Sequence, residues 1–202
     1  MMSRIRLMPL MLGWLLLVAL GSEAWTEDAT PRERLKSGPE IGSPVHAFFV
    51  RAVTGPLKNR SVCYVCRNGD RPVAMVFFQG VDPNAVKFMK MMDQVTDAGR
   101  ANGARSFGVL VTDDSGKVVP ILQTLAFDGK IEMPLTASTT VIANPSCHNL
   151  NTDAATTVVL YRHQKVVASY GYRRGDLVDS EIERMQRDLT AFFAAPHTEP
   201  TK

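Results

Sequence analysis

The sequence predicts an α/β protein: a central mixed β-sheet flanked by helices, closed by a C-terminal β-hairpin and helix. Three observations carry this. Residues 73–79, VAMVFFQ, form an almost unbroken apolar run, as a strand covered on both faces requires. Helix-like and strand-like segments then alternate as far as about residue 135. Residues 156–172 read as two strands about a polar turn, and Ile182, Met185, Leu189 and Phe192 follow at helical spacing.

Composition suits a globular protein with a sizeable core: 45% of the 202 residues are hydrophobic and 21% are charged. The start does not belong to that core. Arg4 and Arg6 precede an apolar run from Leu7 to Leu20, and Ser22 and Ala24 are small residues before a cleavage position. This is the layout of a secretory signal peptide over 1–24, and the apolar run is short for a membrane span. The expected product is exported, periplasmic or secreted, with no membrane association after cleavage. Loss of Arg4, Arg6 and Glu23 leaves the charge near neutral, which points to no nucleic-acid partner. Arg173-Arg174, and Arg100 with Arg105, read as solvated surface.

Residues 25–45 are polar, with Pro31, Pro39 and Pro44 among charges, and read as a flexible linker. The domain is expected over 46–195. HAFFVRAV (46–53) suits a strand that Thr54-Gly55-Pro56 ends, and Asn68-Gly69 is a hairpin signal. After the apolar run, Asp82 as N-cap and Pro83 at the first helical position open a helix that ends near Gly99 or Gly103. Phe107 to Val111 is a second buried strand. A helix over 118–127 follows, its start confined by Pro120, and then a short strand over 130–135. Residues 136–153 are loop-rich. Strands over 156–161 and 166–172 form a hairpin around Gln164. A helix over 179–194, capped by Asp179 or Ser180, ends the domain, and 196–202 is a disordered tail.

This order resembles the thioredoxin-like fold. The resemblance runs through VAMVFFQ, the helix from Asp82, FGVLVTDD, the hairpin TTVVLYRHQKVVASYGY and the last helix. FFVRAVTGPLKNRSV followed by RPVAMVFF is similar to the lead-in of peroxiredoxin-type and exported thioredoxin-like domains. The resemblance implies thiol–disulfide chemistry, but the chain departs from the pattern twice. Thioredoxins carry Cys-x-x-Cys after the first buried strand, at a helix N-terminus that stabilises the thiolate. Here that place reads Gln79-Gly80-Val81-Asp82-Pro83, and the pair Cys63 and Cys66 precedes the strand, where no helix start is expected. Thioredoxins also carry a cis-proline before the hairpin; here the place reads Ala154-Ala155-Thr156-Thr157. The peroxidatic pattern of peroxiredoxins is missing.

Three readings of Cys63 and Cys66 stay open. As catalytic residues they form a redox couple, with Arg60, Arg67 and Arg71 near in sequence to favour a thiolate; Cys63 is the default attacking residue by the resemblance. The expected partner is then another protein's thiol or disulfide. As metal ligands they supply half a zinc site, with Cys147 or His148 the remote candidates. As a structural pair they fix a strand edge, which needs a local turn, because alternate faces of a strand would separate them. Cys147-His148 reads as a loop cysteine beside an exposed histidine rather than a nucleophile with its base. His46, His163 and His197 call for no role. Met89 and Met92 read as core rather than a copper surface, and Asp113-Asp114-Ser115-Gly116 as a turn rather than a calcium loop. No cofactor is expected. The sequence leaves the oligomeric state open.

Overall fold

The computed structural model describes residues 35–144 and 146–195. The expected signal peptide, the linker up to residue 34 and the tail from 196 lie outside the described residues. One seven-stranded sheet organises the rest, in the order β2-β1-β5-β4-β3-β6-β7. The strands are β1 (Val50–Ala52), β2 (Ser61–Val62), β3 (Val73–Phe78), β4 (Arg105–Val111), β5 (Leu135–Ser138), β6 (Thr156–Arg162) and β7 (Lys165–Tyr172). β3, β4 and β5 run parallel; β6 is antiparallel to β3, β7 to β6, and β1 to both β5 and β2.

Every residue of β3 is buried. Ala74, Val76 and Phe78 enter one apolar cluster, and Val73, Met75 and Phe77 the other. The first cluster is covered by three long helices: α2 (Pro83–Ala98), α3 (Ser115–Gly129) and α4 (Asp179–Ala194). The order β3-β4-β5 advances in one direction, so right-handed crossovers put α2 and α3 on the same face. The second face is covered more lightly, by the five-residue α1 (Tyr64–Asn68), by Val45 and Phe48, and by Ile142 and Leu150 of the loop before β6.

The local chemistry explains the boundaries. Asp82 Oδ1 accepts the Ala85 N–H at 2.8 Å and Pro83 opens α2. Phe88, Met89, Met91 and Met92 are all buried beneath that helix, which makes the methionines packing groups. Asp114 Oδ1 accepts the Lys117 N–H at 3.2 Å. This cap starts α3 at Ser115, three residues before the expected start, and Pro120 lies inside the helix. The short strand expected over 130–135 is displaced. Asp93 of α2 accepts the N–H groups of Glu132 and Met133 at 2.9 and 2.8 Å, and Pro134 has none, so sheet pairing begins at Leu135. His163 and Gln164 both have positive φ (51° and 55°), the twist that a tight hairpin between β6 and β7 needs. Val178, not Asp179 or Ser180, occupies the N-cap of α4; Asp179 and Glu181 sit in its first turn, where negative charge suits the helix dipole.

The early segments differ most from expectation. Only Val50–Ala52 of the strand expected over 46–53 joins the sheet. Asn68-Gly69 is not a hairpin turn: Gly69, at φ 55°, ends α1 and donates its N–H to the Val65 carbonyl at 3.2 Å. Residues 35–45, expected within a flexible linker, lie against the sheet. Leu35 bridges Gly171, Pro44 bridges Lys165, and the hydroxyls of Ser37 and Thr157 lie 2.5 Å apart. Gly171 permits this crossing, because a Cβ there would stand 2.5 Å from the Leu35 carbonyl oxygen and 2.8 Å from Ser37 Cβ. Gly171→Ala is therefore expected to displace residues 35–38 and cost about 1–3 kcal/mol. Denaturant unfolding and limited proteolysis check this, with new cleavage near Lys36.

Candidate functional site

β2 ends at Val62, and the chain then turns to bury Tyr64 and Val65 against the second sheet face. Tyr64 stacks on Phe107 of β4, with ring centroids 5.0 Å apart. That burial winds one helical turn at the place where no helix start was expected. Helical spacing puts residues three apart on one side, where a strand would have opposed them. Cys63 and Cys66 meet there and form a disulfide, with their Cα atoms 5.3 Å apart. Cys63 is the N-cap of α1, and its Sγ accepts the Cys66 N–H at 3.1 Å. The two cysteines differ in exposure: Cys63 is 6% exposed, whereas Cys66 is an exposed residue.

The disulfide lies on the stretch between β2 and β3, over the second sheet face. The carboxyl end of β3 leads to the two places singled out by sequence. The Gln79 N–H donates to the Ala155 carbonyl at 3.0 Å, which brings the start of α2 and the start of β6 together. Asp82 and Ala155 stand at these two places, where the thioredoxin resemblance would put a cysteine and a proline.

Of the three arginines expected beside the cysteines, Arg67 lies on α1 and Arg71 reaches its carbonyl with Nη1 at 3.5 Å. Arg60 is exposed in the turn before β2, where its carbonyl accepts the Ala52 N–H. Burial pushes the Tyr64 hydroxyl up, and the Arg67 charge partly offsets this.

Cys147 and His148 depart from expectation in geometry and burial. His148 is fully buried rather than exposed, with its ring 4.4 Å from Phe48 and 4.9 Å from Phe77. Its Nδ1 lies 3.0 Å from Cys147 Sγ, so these sequence neighbours do share a hydrogen bond. The chemistry is that of a neutral pair. Burial first, then the charge of His46, lowers the His148 pKa to about 4, and burial pushes the Cys147 thiol up. Both shifts oppose a thiolate–imidazolium pair. The sulfurs of Cys63 and Cys66 are bonded to each other, and among the described residues no three His, Cys, Asp or Glu side chains converge as a metal site would require. Asp113 accepts hydrogen bonds from the Thr140 N–H and hydroxyl, and Asp114 caps α3, so both acidic groups serve the turn. His46 is exposed before β1, and His163 lies in the β6–β7 turn with Nδ1 3.8 Å from Asp70 Oδ1. His197 lies outside the described residues.

No model of a protein family matches the sequence, and no curated protein sequence matches it significantly. Solved structures do match. A putative thiol:disulfide interchange protein DsbE from Chlorobium tepidum aligns with a TM-score of 0.57 and 14% identity, over 77% of this chain and 99% of that one. A secreted Mycobacterium tuberculosis disulfide oxidoreductase aligns at 0.54 and 14%, over 74% and 96%. Peroxidoxin BcpB from Mycobacterium tuberculosis aligns at 0.56 and 14%, over 75% and 97%. The chain has the thioredoxin-like fold, and at these identities the likeness is one of fold.

The burial of His148 sets a pH dependence. Its folded pKa is depressed, so the unfolded chain takes the proton first as pH falls below the ordinary 6.5. Stability is therefore expected to fall between about pH 6.5 and about pH 4, by about 3 kcal/mol, and then to level for this group. Denaturant midpoints at pH 7 and pH 4.5 measure the loss. His148→Leu should flatten it, and an unchanged slope in that variant would place the titration elsewhere.

Proposed function

We propose that this chain is an exported thioredoxin-fold protein that exchanges its Cys63–Cys66 disulfide with the dithiol of a partner protein. The observation that carries the reading is the unequal exposure of the two bonded cysteines. A partner thiolate attacks the exposed Cys66 Sγ, a new S–S bond forms, and the Cys63–Cys66 bond breaks. Cys63 Sγ leaves with the electron pair, still facing the Cys66 N–H, and takes a proton from water. The partner's second thiolate then displaces Cys66 from the mixed disulfide, and Cys66 takes a proton in turn. Two electrons thereby pass from partner to protein, which oxidises the partner, and the reverse sequence, opened by the Cys66 thiolate, reduces a partner disulfide. This assigns attack to Cys66 and the buried leaving role to Cys63, the opposite of the order that the thioredoxin resemblance implies. The export reading is supported by the basic-then-apolar start of the sequence and by a disulfide that an oxidising compartment would preserve.

A second reading has its own support. Cys63 packs into the apolar cluster with Val50 and Phe107, and residues 79–83, where thioredoxins carry their cysteine pair, hold no cysteine. The disulfide would then be a staple in a non-catalytic binding protein. Equilibration against dithiothreitol redox buffers, followed by alkylation and mass measurement, separates the two. Exchange chemistry requires reversible reduction of the folded protein at a potential above about −300 mV, where structural disulfides resist reduction. In the reduced protein Cys66 should alkylate about ten-fold faster than Cys63. Cys63→Ser and Cys66→Ser should each abolish turnover of a dithiol substrate. Reduction only on unfolding would leave the staple.

A further inference from the structure

β4 begins three residues before β5 has joined the sheet. Arg105, Ser106 and Phe107 pair with Val73, Ala74 and Met75 of β3, but β5 enters only opposite Gly108. The missing length of neighbour leaves a notch at the amino end of the parallel strands. A cavity of about 390 Å³ opens there. That size falls in the range of small-molecule sites.

Four arginines line it: Arg67 of α1, Arg71 before β3, Arg100 after α2 and Arg105 of β4. Of these four, only Arg100 has a carboxylate partner among the described residues, Asp97 at 2.9 Å. Arg71 and Arg105 each direct Nη1 to a backbone carbonyl, at 3.5 and 2.6 Å, which leaves most of their N–H groups uncommitted. The guanidinium groups feel one another: burial, then the charges of Arg71 and Arg100, lower the pKa of Arg105. Two carboxylates also line the cavity. Asp93 spends both oxygens on the Glu132 and Met133 N–H groups, and Glu132 is exposed, so positive charge exceeds negative by two.

A second, independent feature points to a ligand. Tyr64 and Ser106, each only 7% exposed, line the same cavity, and their hydroxyls are buried without a protein partner. An unmatched buried hydroxyl costs free energy that a bound acceptor would return. Guanidinium forks and hydroxyl donors around one space match a group with several oxygens. Leu57, Met133 and Pro134 add apolar wall, so there is room for an organic portion beside the anion.

We propose that this notch binds a small organic anion bearing a phosphate or several carboxylates. The inference goes beyond the disulfide chemistry and does not depend on it, although α1 supplies both Cys66 and Arg67. Arg100 and Arg105 read as solvated surface in the sequence; Arg100 is exposed and Arg105 half-buried, and folding brings both to Arg67 and Arg71 around one cavity.

Calorimetric titration of the oxidised protein with inorganic phosphate, pyrophosphate, citrate and, as a reference, chloride tests it. Saturable binding of phosphate or pyrophosphate, or of citrate, is expected, and the stronger probe identifies the class. Arg105→Gln and Arg71→Gln should each weaken binding about ten-fold. Tyr64→Phe, which keeps charge and ring, should weaken it about three-fold. Arg174→Gln lies beside Gly80 at the other end of β3 and should leave binding unchanged. Arg71 is exposed, so its variant tests the site even if Arg105→Gln fails to fold. Absence of saturable binding for all three anions would overturn the proposal. So would equal weakening by Arg174→Gln, or unchanged binding in Arg71→Gln and Tyr64→Phe together.

Discussion

The double-sided burial of β3 is the constraint on which the rest of the structure depends. All six of its residues are buried, and alternate side chains feed two separate cores. A strand in that position has no face left for chemistry. Whatever the sheet centre positions must lie where the chain leaves it, at one end or the other. The carboxyl end leads through Gln79 to the capped start of α2; the amino end receives the chain from α1. In this protein the sulfur pair lies on the stretch between β2 and β3, not at the start of α2, where thioredoxins carry theirs.

That placement changes what can activate a thiol. At the start of α2, sixteen residues of aligned peptide dipoles stand behind Asp82, but Asp82 is the cap and no sulfur is there. α1 has five residues, too few to supply a comparable field. A Cys63 thiolate would rely on the Cys66 N–H at 3.1 Å and on the arginine charge along α1, against the cost of being almost wholly buried. The exposed Cys66 has no such cost. Asymmetry of solvation, rather than a helix dipole, is the physical basis on which the two sulfurs differ.

Much of the fold is legible in the sequence because it is written in local signals. The apolar run of β3, the Asp82-Pro83 helix start and the β6–β7 hairpin each follow from residues within a few positions of one another. Apart from shifted helix starts at α3 and α4, the failures are non-local. β5 starts at Leu135 because Asp93, some forty residues earlier, takes the N–H groups of Glu132 and Met133. Residues 35–45 read as polar linker, yet Gly171 leaves room for them on the sheet. Asn68-Gly69 has the composition of a hairpin turn, but stacking of Tyr64 on Phe107 commits the preceding residues to a helical turn. His148 looked exposed because nothing adjacent in sequence reveals Phe48 and Phe77 around its ring. A signal for α1 was nevertheless present. Tyr64, Val65 and the cysteines form a compact apolar group ahead of a glycine, which suits one buried turn as well as a strand.

The shifted start of β5 ties these points together. Had the sheet continued where the sequence pattern placed it, residues 130–134 would have covered Arg105 and Ser106, and the amino end of β4 would have been closed. Asp93 instead draws that segment toward α2, Pro134 offers no N–H to β4, and pairing starts at Leu135. The gap is then walled by whatever approaches from each side. From one face come Tyr64, Arg67 and Asn68 of α1; from the other come the end of α2 and Arg100. Closing such a gap with Leu or Ile would have been the cheaper solution, since apolar side chains fill space without unmet hydrogen bonds. The protein places guanidinium groups and two unmatched hydroxyls there instead, and it does so beside the short helix that carries Cys66 of its disulfide.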